Sequence, residues 1–523
     1  MNYADLFRVT LPETVLEIAV LLVLVVDLGF LRKAALNVRL AAAAALGVAG
    51  CVVSLAAVQL EGVSWLRFGA GGDGALLATG GFTSVAQSGI LVLTALTLVL
   101  LFDSLFTRHI GEFVAVVLMA AAGGLLIAAA QDLLVIFIGL ELLSLGLYIL
   151  TAFAKSSGKS AEAAMKYYLF GGMSAAFLLF GFSYLYGLTG TTNLALIQYR
   201  MTLSGPSPLF YVAWILVVAG LGFKIAVVPF HLWAPDTYEG APAPAAAFIA
   251  SVSKVASFAL LITLAMNWWL RPGGDLAADG HTLEQLLRGY YRTWPQLAIV
   301  LLVASAASMV VGNLAALAQS SVRRLLAYSA IAHVGYILLG LAAHPVFTGQ
   351  GTAVAFNADS FFPELHTMGA VLFYVLTYAL TTVGAFGVVA VVERSTGTDK
   401  LDSFLGLHKR NPLLAAVLLV LFLSLAGIPP LVGFWAKFNL FAAVLSTNAG
   451  PIPFALVALA IAMSAVSLFY YLQVLKRAYV MQPVSESRIE VHPITTLVLL
   501  AIAAAVVLVG CFPTLLGARI EGF

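Results

Sequence analysis

Charge is what this sequence has least of. Asp, Glu, Lys and Arg make up 10% of its 523 residues, while 62% are hydrophobic. A soluble domain carries about 25% charged residues. No soluble fold of this length could hide so much apolar surface, so a mean hydropathy of +1.03 makes lipid the solvent. Cysteine is nearly absent. Cys51 and Cys511 are the only two, far apart, which excludes a thiolate-held iron–sulfur cluster or a Cys-type zinc site. Both lie in apolar runs and are expected to be buried and structural. Dense basic patches are missing, which excludes nucleic acid as a partner. Long polar stretches are missing too. The longest loops, near 270–295 and 344–367, have no room for a soluble core. The run GAGGDG at 69–74 fits G-x-G-x-x-G, but it sits in a loop with no strand before it and is not read as a nucleotide site. The N-terminus lacks a basic leader segment, and Glu13, Glu17 and Asp27 interrupt its first apolar run, so no cleavable signal is expected.

What the chain does have is apolar runs long enough to cross a bilayer, which takes about 20 residues. They predict an all-α polytopic membrane protein of about fourteen transmembrane helices. The spans fall near 11–31, 38–59, 80–102, 110–130, 132–154, 162–188, 209–233, 243–269, 296–317, 323–343, 368–393, 412–443, 453–478 and 494–516. Placing both termini outside puts fifteen of the 26 Lys and Arg residues in inner loops and seven in outer ones, leaving four within spans. The positive-inside rule therefore orients both termini to the periplasmic or outer side.

The four lysines within spans are Lys166, Lys224, Lys254 and Lys437, and Glu141 lies in a fifth span. Each charge at the bilayer centre costs roughly 3 kcal/mol on insertion scales. Lys254 is the deepest, with Ser251, Ser253 and Ser257 around it, and cannot readily snorkel to either surface. Lys224 is followed five residues later by Pro229, which breaks the helix. Broken backbone at membrane depth survives only where protein or water surrounds it, so Lys224 faces a hydrated cavity or sits ion-paired beside a kink. Pro429 and Pro430 make a second break, with Lys437 two turns beyond. Paired interrupted helices point to repeated halves. The expected organisation is an N-terminal three-helix segment (1–109), two pseudo-symmetric inverted five-helix repeats (110–269 and 270–480), each with a broken helix, and a C-terminal helix (481–523).

Glu141 is expected to pair with Lys166 on the next span, the alternative being that Lys166, near a span end, snorkels to the surface. His333 lies ten residues into its span and could relay protons or be a satisfied core histidine. His231, just after Pro229, could serve proton uptake or simply end its span. Asp27, Asp132 and Glu162 lie near span ends and are expected to face the interface. A row of Glu, Lys and His through a membrane, with water between them, forms a proton relay. Moving one charge across 100 mV takes about 2.3 kcal/mol. The sequence has no nucleotide or redox site to supply that, so the chain is a secondary transporter or one part of a larger pump.

The runs GFKIAVVPFHLWAPDTYEGAPAPAAAFIASVSKVA, RRLLAYSAIAHVGYILLG and LSLAGIPPLVGFWAKFNLF resemble the antiporter-like membrane subunits of respiratory complex I, the NADH–quinone oxidoreductase. With the flanking spans the resemblance covers essentially the whole chain. It is greatest to the N-type subunit, through the opening LPETVLEIAVLLVLVVDL, the lysine rather than glutamate at Lys437, and the short tail after the last span. The resemblance implies a proton-relay role for Glu141, Lys166, Lys224, Lys254, His333 and Lys437. It implies no cofactor on this chain, with FMN, iron–sulfur clusters and quinone in partner subunits. It also implies contact with the antiporter-like subunit M, the small subunits K, J and A, and membrane lipids, in a bacterial cytoplasmic (inner) membrane. The rival readings are an Mrp-type cation/proton antiporter subunit, a membrane subunit of a related ferredoxin- or hydrogenase-linked complex, or a structural subunit that no longer pumps.

Overall fold

The computed structural model describes residues 7–60, 64–67, 75–104, 106–204, 207–269, 283–342, 358–446, 451–483 and 487–521. Side chains of 61–74, 202–206, 267–297, 343–366 and 521 are not described. The N-terminal helices are α1 (Leu11–Leu24), α2 (Leu36–Leu60) and α3 (Gly81–Val99). A π turn, Val25–Phe30, extends α1. The first five-span run holds α4 (Ile110–Ala129), α5 (Leu133–Thr151), α6 (Gly158–Thr189), the connecting α7 (Leu194–Ser204), α8 (Pro208–Ile225), the short α9 (Trp233–Gly240), α10 (Ala243–Ala250) and α11 (Val252–Trp269). The second holds α12 (Leu283–Leu317), α13 (Val322–Ala342), α14 (Ala358–Thr396), the one-turn α15 (Leu407–Arg410), α16 (Pro412–Ala426), α17 (Val432–Ser446) and α18 (Pro451–Tyr479). Helices α19 (Pro493–Cys511) and α20 (Thr514–Glu521) close the chain.

Twelve described segments are long and apolar enough to cross a membrane, with α16 and α17 as shorter apolar helices. The predicted all-helical membrane fold is what forms. Among the described residues it departs from all-helix in an antiparallel pair of strands, β1 (Ser64–Arg67) and β2 (Ala75–Thr79), in the loop after α2, so a strand does precede the glycine run that was expected to have none. The glycine run at 69–74 lies outside the described residues, as do 270–282 and 343–357 in the two longest loops.

Local chemistry sets the helix ends. Ser207, Asn411 and His492 cap α8, α16 and α19 with their side chains, and each is followed by proline at the first helical position. Asp132 caps α5 by accepting from Leu134 N. Small residues then let helices pack closely. A Cβ on Gly123 of α4 would stand 2.6 Å from Leu143 N of α5. In the second run, a Cβ on Gly335 of α13 would stand 2.7 Å from Met309 N of α12. Both five-span runs thus open with a glycine-mediated helix pair, and both carry a broken helix fourth in order.

Three expectations fail here. Asp27 and Asp132 are buried rather than interfacial. Asp27 is held by Arg39 at 2.6 and 2.7 Å, and Asp132 accepts from Thr192 at 2.5 Å as well as capping α5. Cys511 is exposed, because the last turn of α19 reaches the edge of the molecule; only Cys51 is buried. The eighth span is not one straight helix. Ser251 interrupts it between α10 and α11, where its hydroxyl bonds back to Ala247 O (2.6 Å) and competes with the helical ladder.

Candidate functional site

The first break begins where α8 ends at Ile225. Ala226 takes a left-handed conformation (φ 61°), and Pro229 has no N–H to continue the helix. The last carbonyls of a helix need other donors. Trp233 Nε1 donates to Phe223 O (2.9 Å), Val227 N to Gly222 O (2.9 Å), and the Lys254 ammonium to Ile225 O. Ser308, from α12, accepts from Val228 N at 3.0 Å, so the second run helps to hold open a break in the first.

The second break repeats this arrangement. Gly427 (φ 88°) ends α16, and Pro429 and Pro430 follow. Lys437 returns from α17 to donate to Leu425 O (3.2 Å), Ala426 O (3.0 Å) and Ser464 Oγ (2.8 Å). A cation at the C-terminal end of a helix is favoured by the helix dipole. The lysine that seats on the first break is therefore Lys254, not Lys224. Lys224 lies in the last turn of α8, is buried, and donates instead to Ser144 Oγ of α5 (2.5 Å).

The expected Glu141–Lys166 pair is not formed. Lys166 Nζ lies 2.7 Å from Glu162 one turn earlier and 2.8 Å from Asp236 of α9, and its side chain is 42% exposed. Lys166 is close enough to the end of its span to find hydrated carboxylates, so it has no need of a deeper partner. Glu141 is half-buried and makes no hydrogen bond or ion pair among the described residues. Its charge acts on Lys224 and Tyr148.

Asp236 joins the two five-span runs. One carboxylate oxygen takes Lys166 of α6 and the other takes Arg324 of α13 (2.7 Å). Glu239 likewise accepts from Lys159 (3.2 Å) and Arg324 (3.1 Å). Partial burial pushes both carboxyls of α9 up. The hydrogen bonds from Lys166 and Arg324 to Asp236, and from Arg324 and Lys159 to Glu239, outweigh it and hold both below their ordinary values.

His333 is buried in α13 among tyrosines. Nδ1 meets the Tyr374 hydroxyl at 2.8 Å and Nε2 the Tyr471 hydroxyl at 3.4 Å, with the Tyr378 ring 4.6 Å away. Tyr471 also bonds Ser329. The Lys437 ammonium lies 5.5 Å from the Tyr336 ring centre, and its charge reaches His333. His231 is buried after the first break, with no partner for Nδ1 among the described residues. Ser144, Ser308, Asp236, Arg324, Asn313 and the tyrosines also contribute, although nothing in the sequence had singled them out as site residues. Asn313 is the only one with a distinctive signal, as an amide inside an apolar span.

A family described as the NADH:quinone oxidoreductase/Mrp antiporter transmembrane region matches residues 130–271 and 285–464, the stretch that contains every lysine above. NADH-quinone oxidoreductase subunit N 2 of Acidobacterium capsulatum is 46% identical, over 99% of this chain and 98% of its own. The chain belongs to the NADH-quinone oxidoreductase subunit N family. A chain of respiratory complex I from Thermus thermophilus, solved with bound aureothin, shares this fold at a TM-score of 0.74. It is 31% identical, over 97% of this chain and 98% of that one. A chain of the archaeal membrane-bound sulfane sulfur reductase superposes with a TM-score of 0.79 at 24% identity, over 98% and 97% of the two chains, and shows the shared fold alone.

Proposed function

We propose that this chain moves protons across the bacterial cytoplasmic membrane as the N-type membrane-arm subunit of an NADH–quinone oxidoreductase. The observation that carries this reading is the matched pair of buried ammoniums. Lys254 and Lys437 each sit on the open carbonyl end of a broken helix. Such seats suit a group that gains and loses a proton while staying in place.

In this reading Glu141 and Lys224 form the input. Their mutual attraction competes with repulsion between Lys224 and Lys254. The proton then passes to Lys254, through the tyrosine-flanked His333, and out by Lys437. Lys166 serves as an anchor for Asp236 as well as a flanking charge. Quinone reduction elsewhere in the complex supplies the energy, with FMN, iron–sulfur clusters and quinone held by other subunits. Subunits M, K, J and A are the expected neighbours, and both termini face the periplasm. The two inverted units span 110–269 and 270–480, between the 1–109 segment and the 481–523 helix. The alternative is an Mrp-type antiporter or related-complex subunit, since the matched family description covers Mrp antiporters as well.

Lys254→Ala in the assembled complex, in sealed vesicles, tests the proposal. This chain's share of the protons moved per quinone reduced is expected to fall about tenfold or more. His333→Ala is expected to lower it as well. Wild-type proton yield in both variants, with assembly verified, would overturn the relay.

A further inference from the structure

Between His333 and Lys437 the side chains form a nearly continuous polar chain, and one member of it cannot titrate. His333 meets Tyr471. Tyr471 and its neighbour Tyr470 hold their rings 4.5 Å apart. The Tyr470 hydroxyl donates to Asn313 Oδ1 at 3.1 Å. Asn313 Nδ2 donates to the Tyr336 hydroxyl at 3.0 Å and to Met309 O at 2.7 Å. The Tyr336 ring faces Lys437. All of these side chains are buried.

The amide orientation follows from its partners. Met309 O can only accept, so the nitrogen must point to it and to Tyr336, and the oxygen must point to Tyr470. A hydroxyl or imidazole can take a proton on one side and release it on the other. A carboxamide donates and accepts hydrogen bonds but keeps both of its protons at physiological pH. Asn313 thus bridges Tyr470 and Tyr336 by hydrogen bonds, between the ring contacts at Tyr470–Tyr471 and Tyr336–Lys437, and cannot itself carry a proton across.

We propose that Asn313 is an insulating residue of the relay. It fixes Tyr336 and Tyr470 in place while denying a proton the side-chain route from the His333 cluster to Lys437. Passage must then wait for water or a rearrangement. A permanent wire there would let protons run back down the gradient. This rests on the proton-relay reading above.

Asn313→Asp tests it, because a carboxyl of the same shape can take and pass a proton. Asn313→Leu is the control, matching the shape but unable to conduct. Both are measured in the assembled complex in sealed vesicles, as passive proton leak at rest and as protons moved per quinone reduced. Asn313→Asp is expected to raise the resting leak about tenfold or more and lower the proton yield, while Asn313→Leu keeps the leak at the wild-type level. Equal leak in wild type and both variants overturns the insulating role. Equal leakiness in both variants also overturns it, since that marks loosened packing. Should Asn313→Asp fail to assemble, Asn313→His takes its place with the same expected leak and the same overturning results. Failure of the relay itself would show separately, as full proton yield in Lys254→Ala and His333→Ala with Asn313 intact.

Discussion

The Lys254 ammonium reaches from α11 to the carbonyl oxygen of Ile225, the last residue of α8. That contact joins two consecutive spans at the point where the first one breaks. It also leaves Lys224 free to turn the other way, onto Ser144. Lys224 and Lys254 are thereby held by different acceptors, a side-chain hydroxyl of α5 and a terminal carbonyl of α8.

Ser144→Ala removes the acceptor on which Lys224 rests. A hydrogen bond to a charged group contributes about 1.5–3 kcal/mol. This chain's share of proton translocation is expected to drop about tenfold, and Ser144→Thr, which keeps the hydroxyl, should recover most of it. Proton yield per quinone reduced checks this, and an unaffected Ser144→Ala variant would remove Ser144 from the input.

Trp233→Phe deletes the donor to Phe223 O but keeps an aromatic ring to stack on Tyr167, 4.3 Å away. The freed carbonyl is expected to cost about 1–3 kcal/mol. A lower thermal unfolding midpoint of the purified complex is the expected sign. An unchanged midpoint would mean that the break finds another donor.

Asp236 gives a pH-dependent test. Its folded value lies below the ordinary 3.8 because Lys166 and Arg324 hold its charged form. Its stabilisation is therefore fully present above that pH and is lost as pH falls through the folded value. Asp236→Asn should be slightly less stable than wild type at neutral pH, by about 1 kcal/mol or less for so exposed a pair. The difference should be flat between about pH 5 and 8 and should close below about pH 4. Melting curves across that range check it, and a gap that widens in acid would contradict the assignment.

Gly433→Ala probes the second break. The added methyl would stand 1.8 Å from Ser424 O, so α16 and α17 would have to separate. Overpacking of this kind costs about 1–3 kcal/mol, and lower assembled yield is expected. Gly172→Ala, with open space around it, should be within about 0.5 kcal/mol of wild type. Equal yields for the two variants would show that the break tolerates widening.

The spans and both breaks were legible in the sequence. Apolar run length and proline act locally, so Pro229, Pro429 and Pro430 fall where α8 and α16 give way. The buried charges were legible because lysine in lipid is costly wherever it points. Partners were not legible. Lys166 goes to Asp236 because α9 folds back beside α6, a tertiary fact that no spacing announces. Tyr374 and Tyr471 read as ordinary aromatic residues until packing turns their hydroxyls toward His333. The Ser251 kink was missed because serine bends a helix only when its hydroxyl competes for the backbone, as here with Ala247 O.

Among the described residues Lys254 and Lys437 have no carboxylate partner; backbone carbonyls and one serine hold them. A lysine paired with an acid would, on giving up its proton, strand a bare anion in hydrocarbon. These two strand only dipoles, already fixed in place by the helices they end. Each seat is thus tolerable both occupied by a cation and occupied by a neutral amine.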